Sequence, residues 1–308
     1  MQSVHEDSSR ALNLRLLTHF HPWLPALLIA TAALGACGGS GGGDDGDGDV
    51  ETVFDTTGLA PPVRATSGTW IPQVSDTWQW QLRGTVDTRV NAKVYDIDLF
   101  DTPAATISAL KAAGRRVVCY FSAGSAESWR SDYSGFAPVD MGSSLDGWAG
   151  ERWLDTRSAN VRAIMKSRLD LAASKGCDGV EPDNVDGYTN SPGFPLTATT
   201  QLDYNSFLAN EAHTRGLAVA LKNMVELISP MEPYFDFAVN EQCNEYDECG
   251  GYSVFTSKGK PVFNAEYAST WVTNATARAS LCRSSIDAKI HTLVLPLALD
   301  GSFRYSCD

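Results

Sequence analysis

The chain has 308 residues, a formal net charge of −13, 43% hydrophobic and 20% charged residues, and seven cysteines. That acidic balance argues against a nucleic-acid binder, whose phosphates call for a basic face, and it suits a cationic or neutral partner. A soluble acidic surface alone would carry the same charge.

The N-terminus reads as an export signal. Arg10 and Arg15 supply positive charge, and Trp23 to Ala33 form a mostly apolar run too short for a stable membrane span. The run ends in Leu34-Gly35-Ala36-Cys37, which looks like a bacterial lipobox with Cys37 as the acylated first mature residue. A plain secretory signal cleaved after Ala36 and a retained anchor are the alternatives. Gly38 to Val50 (GGSGGGDDGDGDV) then has nothing to pack and reads as a flexible spacer. The expected organisation is a signal over residues 1–36, a lipid-attachment Cys and Gly/Asp tether over 37–65, and one domain over 66–308. The expected product is a monomer held outside the cytoplasm, meeting the membrane only through its lipid. With Cys37 acylated, six cysteines remain, an even number suited to an oxidising compartment. Cys243 with Cys249 and Cys282 with Cys307 pair by sequence proximity, leaving Cys119 and Cys177 to pair or to remain buried thiols.

About 250 residues follow the tether, the usual size of a (β/α)8 barrel. In chain order, short apolar runs occur at Thr77–Leu82, Ala92–Phe100, Arg116–Ala123, Cys177–Asp183, Leu217–Asn223, Phe235–Glu241, Pro261–Tyr267 and His291–Leu299. Helical patterns separate several of them. Thr102-Pro103 can start a helix with Ile107 and Leu110 inward, stopped by Gly114. Val161, Ile164, Met165, Leu169 and Ala172 follow the helical period and close at Gly176, and Leu202, Phe207, Leu208 and Ala212 mark another helix before Gly216. Strand–helix alternation predicts an α/β fold with a parallel sheet, and eight strands predict a closed (β/α)8 TIM barrel. An open doubly wound sheet is the other architecture, but no Gly-rich phosphate loop follows the first strand.

Alternation along the strands then sorts side chains by face. Tyr95, Ile97 and Leu99 oppose Val94, Asp96 and Asp98; Val118, Tyr120 and Ser122 fall together; Ala218, Ala220 and Lys222 oppose Val219 and Leu221. With bulky aliphatics towards the helices, the polar members point inward and towards the C-terminal mouth, where barrel enzymes carry their chemistry. Glu181 and Asp183 share a face of the fourth strand, and Glu241 ends the sixth. Those two backbones stand roughly 10 Å apart around a barrel wall. Inward carboxylates across that gap suit glycoside cleavage, in which one acid protonates the leaving oxygen and the other attacks or steers water.

The motifs, taken in order, resemble glycoside hydrolase family 114, the endo-α-1,4-polygalactosaminidases. The resemblance rests on Trp80-Gln81-Leu82, Asp96-Ile97-Asp98, Cys119-Tyr120-Phe121-Ser122-Ala123-Gly124 with Glu127 and Arg130, and Glu151-Arg152-Trp153-Leu154-Asp155. Asp178 to Tyr188, Lys222-Asn223, Asn240-Glu241-Gln242-Cys243 and Ala265-Glu266-Tyr267 complete it, over about residues 70 to 300. It implies a barrel with no metal or other cofactor, cutting inside α-1,4-linked, partly deacetylated galactosamine chains. It implies Asp183 and Glu241 as the catalytic pair; analogy with other α-active barrel glycosidases makes Asp183 the nucleophile and Glu241 the general acid/base. A deacetylated galactosamine chain is cationic, which fits the acidic balance.

Around this pair, Asp96, Asp98, Tyr120, Ser122, Glu127, Trp153, Asn184, Lys222, Asn223 and Tyr267 are the candidate substrate-binding residues. Each has a structural alternative: Asp96 and Asp98 as organisers of the mouth, Lys222 as the ion-pair partner of a buried Glu181, the tyrosines and tryptophans as packing. Trp129, Trp148 and Trp153 follow the third strand and could form a sugar-stacking wall or a loop mini-core. Only His213 and His291 lie outside the signal region, so a His-rich metal site is not expected. Another α-linked glycan, or carbohydrate binding without turnover, are the alternative functions.

Overall fold

The computed structural model describes residues 54–308; the expected signal, Cys37 and most of the tether lie outside them. Each of the eight apolar runs carries one strand of a parallel sheet. In chain order these are β1 (Trp78–Gln81), β2 (Val94–Asp98) and β3 (Arg116–Ser122), then, after an insertion holding β4 (Ser125–Glu127), β5 (Met141–Ser144) and β6 (Glu151–Leu154), β7 (Gly179–Asp183). The series ends with β8 (Ala218–Lys222), β9 (Phe237–Glu241), β10 (Val262–Glu266), β11 (His291–Val294) and a short β12 (Tyr305–Ser306). The sheet runs β1-β2-β3-β7-β8-β9-β10-β11-β12, parallel throughout except for β12, which is antiparallel to β11.

Helices α1 (Ala104–Ala112), α2 (Ala159–Lys175), α3 (Ala198–Thr214), α4 (Ile228–Met231), α5 (Ser253–Thr256), α6 (Ser269–Thr273) and α7 (Ala275–Asp287) occupy the connections. Local chemistry explains the long ones. Ser158 caps α2 by accepting from the Asn160 and Val161 N–H groups, and Gly176 ends it at φ 86°, a left-handed conformation glycine adopts without strain. Thr197 opens α3 with a reciprocal bond to Thr200. One expected cap is absent: the residue at the start of α1 is Pro103, which has no side-chain oxygen to accept from the first turn, and no side-chain cap forms.

Strand alternation sorts the core into two clusters. Tyr95, Ile97, Leu99, Val219 and Leu221 pack with the helices in the outer one. Trp78, Trp80, Val94, Val118, Ala218, Ala220, Phe237 and Phe263 share the inner one. The sheet curls strongly. Trp78 of β1 stacks on Phe263 of β10 at 5.1 Å and donates its indole N–H to the His291 carbonyl of β11. Arg304, just before β12, donates to the Trp78 carbonyl, so the C-terminal segment bridges the first and eighth parallel strands. The result is an α/β fold with a curled parallel sheet, consistent with a TIM-barrel-like fold.

Three features lay outside the sequence reading. The antiparallel sheet β4-β6-β5 grows from the loop after β3. No helix connects β1 to β2. The domain also begins before residue 66: Phe54 and Leu59 pack on the outer core, and Ala60, Pro61 and Val63 bond to Tyr234, Asn210 and His213. Among the described residues, Cys243–Cys249 and Cys282–Cys307 form as paired by sequence proximity, and Cys119–Cys177, left open between a pair and free thiols, is also a disulfide. Such cross-links belong to an oxidising, extracytoplasmic setting. Among the described residues, no helix is long and apolar enough to cross a membrane.

Candidate active site

The C-terminal ends of β3, β7, β8, β9 and β10 bring five of the expected residues together around one ammonium. Lys222, last in β8 and almost fully buried, holds its Nζ 2.9 Å from Glu181 Oε1, 3.1 Å from Asp183 Oδ1 and 3.2 Å from Glu241 Oε2. Tyr120 on β3 donates to Asp183 Oδ2 at 2.9 Å, and Tyr267, directly after β10, donates to Glu241 Oε1 at 2.5 Å. Each of these carboxylates thus has one oxygen on the cation and the other on a phenol. Asp183 and Glu241 keep 18% and 26% of their side chains exposed, whereas Glu181 beneath them has none. The two outer acids face the opening and the inner one does not.

Two contacts to one nitrogen limit the span between Asp183 Oδ1 and Glu241 Oε2. It is at most about 6.3 Å, a ceiling that admits the roughly 5–5.5 Å of retaining glycosidases and falls just under the ~6.5 Å at which inverting pairs begin.

The backbone just past these strands fixes the aim of the carboxylates. Asn184, Asn223 and Gln242, each following the last residue of its strand, have φ of 57°, 48° and 66°. This left-handed step turns the chain sharply, and Asn tolerates it better than most residues because its short side chain bonds locally. Asn223 Oδ1 accepts from the Glu241 backbone N–H at 2.9 Å and from Asn240 Nδ2 at 3.3 Å. Asn184 Nδ2 donates to Ser122 Oγ at 2.9 Å. Ala123 and Gly124 both donate backbone N–H groups to the Asp183 carbonyl. A Cβ on Gly124 would stand 1.7 Å from the Asn184 carbonyl oxygen, so only glycine fits there. The Cys243–Cys249 bridge closes the loop directly after Glu241.

Burial and crowding set the charges. Burial pushes Glu181 up to about 7, opposed by the Lys222 charge. The Lys222 ammonium resists its own burial because three carboxylates surround it, and is held well above the usual lysine value. Burial, reinforced by the neighbouring carboxylates, keeps the Tyr120 and Tyr267 phenols well above their ordinary range, so both stay protonated as donors. Two further acids border the mouth. Burial pushes Asp186 up to about 6, and Glu151, which accepts from Ser125 Oγ at 2.6 Å, up to about 7.

Five expected substrate-binding residues, Asp96, Asp98, Ser122, Glu127 and Trp153, are buried among protein neighbours. Asp98 accepts both of its Arg130 bonds, at 3.0 and 2.6 Å, and Glu127 binds the same guanidinium. Both are buried, and a charge taken out of water needs such a partner within reach. Ser122 is fully buried and serves Asn184, and Trp153 is buried with its ring against Gly187. Asp96 is buried one step deeper on the inner face of β2. Trp129 and Trp148, by contrast, are about half exposed. Trp80, whose ring lies 4.8 Å from Lys222 Nζ, was not anticipated at the site, although its shared parity with the inward Trp78 could have placed it.

Comparison with known proteins places the fold and the family. A crystal structure of Aspergillus fumigatus Ega3 in complex with galactosamine matches with a TM-score of 0.75 and 44% identity, covering 80% of this chain and 100% of that one. The glycoside hydrolase domain of PelA from Pseudomonas aeruginosa shares the fold at a TM-score of 0.57 and 14% identity, over 73% of this chain and 96% of that one. An uncharacterised protein of Deinococcus radiodurans is 27% identical over 277 residues, 79% of this chain and 88% of its own. The sequence model of a glycoside hydrolase family covers residues 60–308, essentially the whole described domain. The chain is a glycoside hydrolase and belongs to family GH114.

Proposed function

We propose that this enzyme cleaves inside α-1,4-linked, galactosamine-containing polysaccharide, with Asp183 as nucleophile and Glu241 as general acid/base. The observation that carries the reading is the single Lys222 ammonium touching both partly exposed carboxylates at the ends of β7 and β9. Their short separation favours direct attack: Asp183 adds to the anomeric carbon while Glu241 gives its proton to the departing glycosidic oxygen. Glu241 then takes a proton from water, which displaces Asp183 and leaves the product with retained configuration. Tyr120 and Tyr267 hold the unused oxygen of each acid through this cycle.

Two further features support the substrate. Ega3, 44% identical, was crystallised with galactosamine. Glu181, Asp183 and Glu241 outnumber the one cation among them, so the site is short of positive charge. An amino sugar supplies it. The eight curled strands fit a closed (β/α)8 barrel, with these residues at its C-terminal mouth. Lipid attachment at Cys37 of a monomeric enzyme completes the reading; Cys37→Ala should then release it from membranes.

The test is hydrolysis of galactosamine and N-acetylgalactosamine oligomers, with the product anomer followed by NMR. Asp183→Asn and Glu241→Gln should each abolish cleavage while thermal unfolding stays cooperative. Near-native turnover by either variant refutes the assignment, and an inverted product refutes the double displacement.

A further inference from the structure

Behind the reactive pair lies a second pair of acids. Asp96 of β2 is 1% exposed, and its neighbours in register on β1 and β3 are Trp80 and Val118, neither of which ionises in the working range. The titratable groups facing it across the interior are Glu181 and Asp183 of β7 and Lys222 of β8. An ammonium has three N–H donors. Lys222 already meets three carboxylates, leaving none for Asp96. Among the described residues, neither Asp96 Oδ1 nor Glu181 Oε2 receives a hydrogen bond, although both atoms are buried. Yet the two carboxyl groups are within hydrogen-bond reach of each other.

Two ionised carboxylates at that range would repel, and two buried acceptors would stay unsatisfied. One proton between them removes both problems. Lys222 decides its place: the cation contacts Glu181 and not Asp96, so Glu181 carries the charge and Asp96 the proton. We infer that Asp96 is a positioning residue: a buried carboxylic acid that donates to Glu181 and, through Glu181, fixes Lys222 between Asp183 and Glu241. Burial, reinforced by the Glu181 charge, agrees, holding Asp96 well above the ordinary carboxylate range. The inference rests on the proposed pairing of Asp183 with Glu241 and is independent of which glycan is cut.

The experiment compares wild type, Asp96→Ala and Asp96→Asn by kcat, KM, thermal unfolding and infrared spectroscopy. Asn keeps the shape and a neutral donor but cannot ionise. Asp96→Ala should lower kcat by about a hundredfold with KM little changed, the size of effect that misplaced reacting groups produce. Asp96→Asn should recover at least about tenfold of that loss, since its amide N–H replaces the acid proton. Wild type at neutral pH should show a protonated-carboxyl stretch that Asp96→Asn lacks, a readout that needs no substrate. Full activity in Asp96→Ala, an Asn variant as impaired as Ala or unable to fold, or no lost carboxyl band would each overturn the inference. A wild type that cuts another α-linked glycan but not galactosamine oligomers would refute the substrate reading and leave this one standing.

Discussion

Replacing Lys222 with Met tests the electrostatic construction of the site. Met roughly conserves volume and leaves Glu181, which has no solvent exposure, without its counter-charge. Breaking a buried pair in this way costs about 3–5 kcal/mol. For a domain of this size each kcal/mol lowers Tm by about 2–4 °C, so the expected fall is about 6–20 °C. Its pH dependence identifies the cause. Glu181 sits at about 7 in the native protein, above the roughly 4.3 of an unfolded glutamate. The folded state therefore binds the extra proton, and this group's contribution to stability falls as pH rises between those values. Removing Lys222 takes away the influence that opposes burial, so the Glu181 value climbs further. The deficit of Lys222→Met should be small near pH 5, where a neutral Glu181 needs no cation, and approach its full size above about pH 8. Thermal unfolding followed by circular dichroism at both pH values measures it. A deficit independent of pH, or one larger at pH 5, would show that Lys222 acts by packing and refute the reasoning.

The disulfides separate stability from activity. Cys119–Cys177 closes 58 residues and Cys243–Cys249 only 6, so chain-entropy losses of about 4 and about 2 kcal/mol are expected on replacing each pair by Ala in chemical denaturation. The smaller cross-link follows Glu241 directly, so its loss should lower kcat more, and steady-state kinetics at a temperature where both variants are folded decides this. Gly124→Ala forces Asn184 away from β3 and should reduce both Tm and kcat; a variant with native values of both would show that the loop absorbs the methyl group freely. Glu151→Gln removes an acid whose folded value of about 7 lies above its unfolded one, so the variant should gain stability relative to wild type as pH rises from about 4.5 to 7. A constant difference between the two across that range would contradict the raised value.

The strands and their facing were legible because they depend on local pattern. An inward Val94, Val118 or Ala220 alternating with an outward Tyr95, Val117 or Leu221 needs nothing beyond the two-residue period of a strand. The same parity pointed Asp183, Lys222 and Tyr120 at one space, and the ion pair of Glu181 with Lys222 followed from the expense of an unpaired buried charge. What parity leaves open is depth and partner. Asp98 and Ser122 have the right parity, but Arg130, arriving from the insertion after β3, takes the first, and Asn184, turned left-handed past β7, takes the second. The three short strands of that insertion were invisible because their burial comes from contact with the rest of the domain and not from a periodic run of their own. Sequence alone determined which side chains face inward, since that is fixed by the covalent geometry of an extended chain. Only the tertiary structure decided which of them share one ammonium, since distance across a curled sheet depends on every strand between.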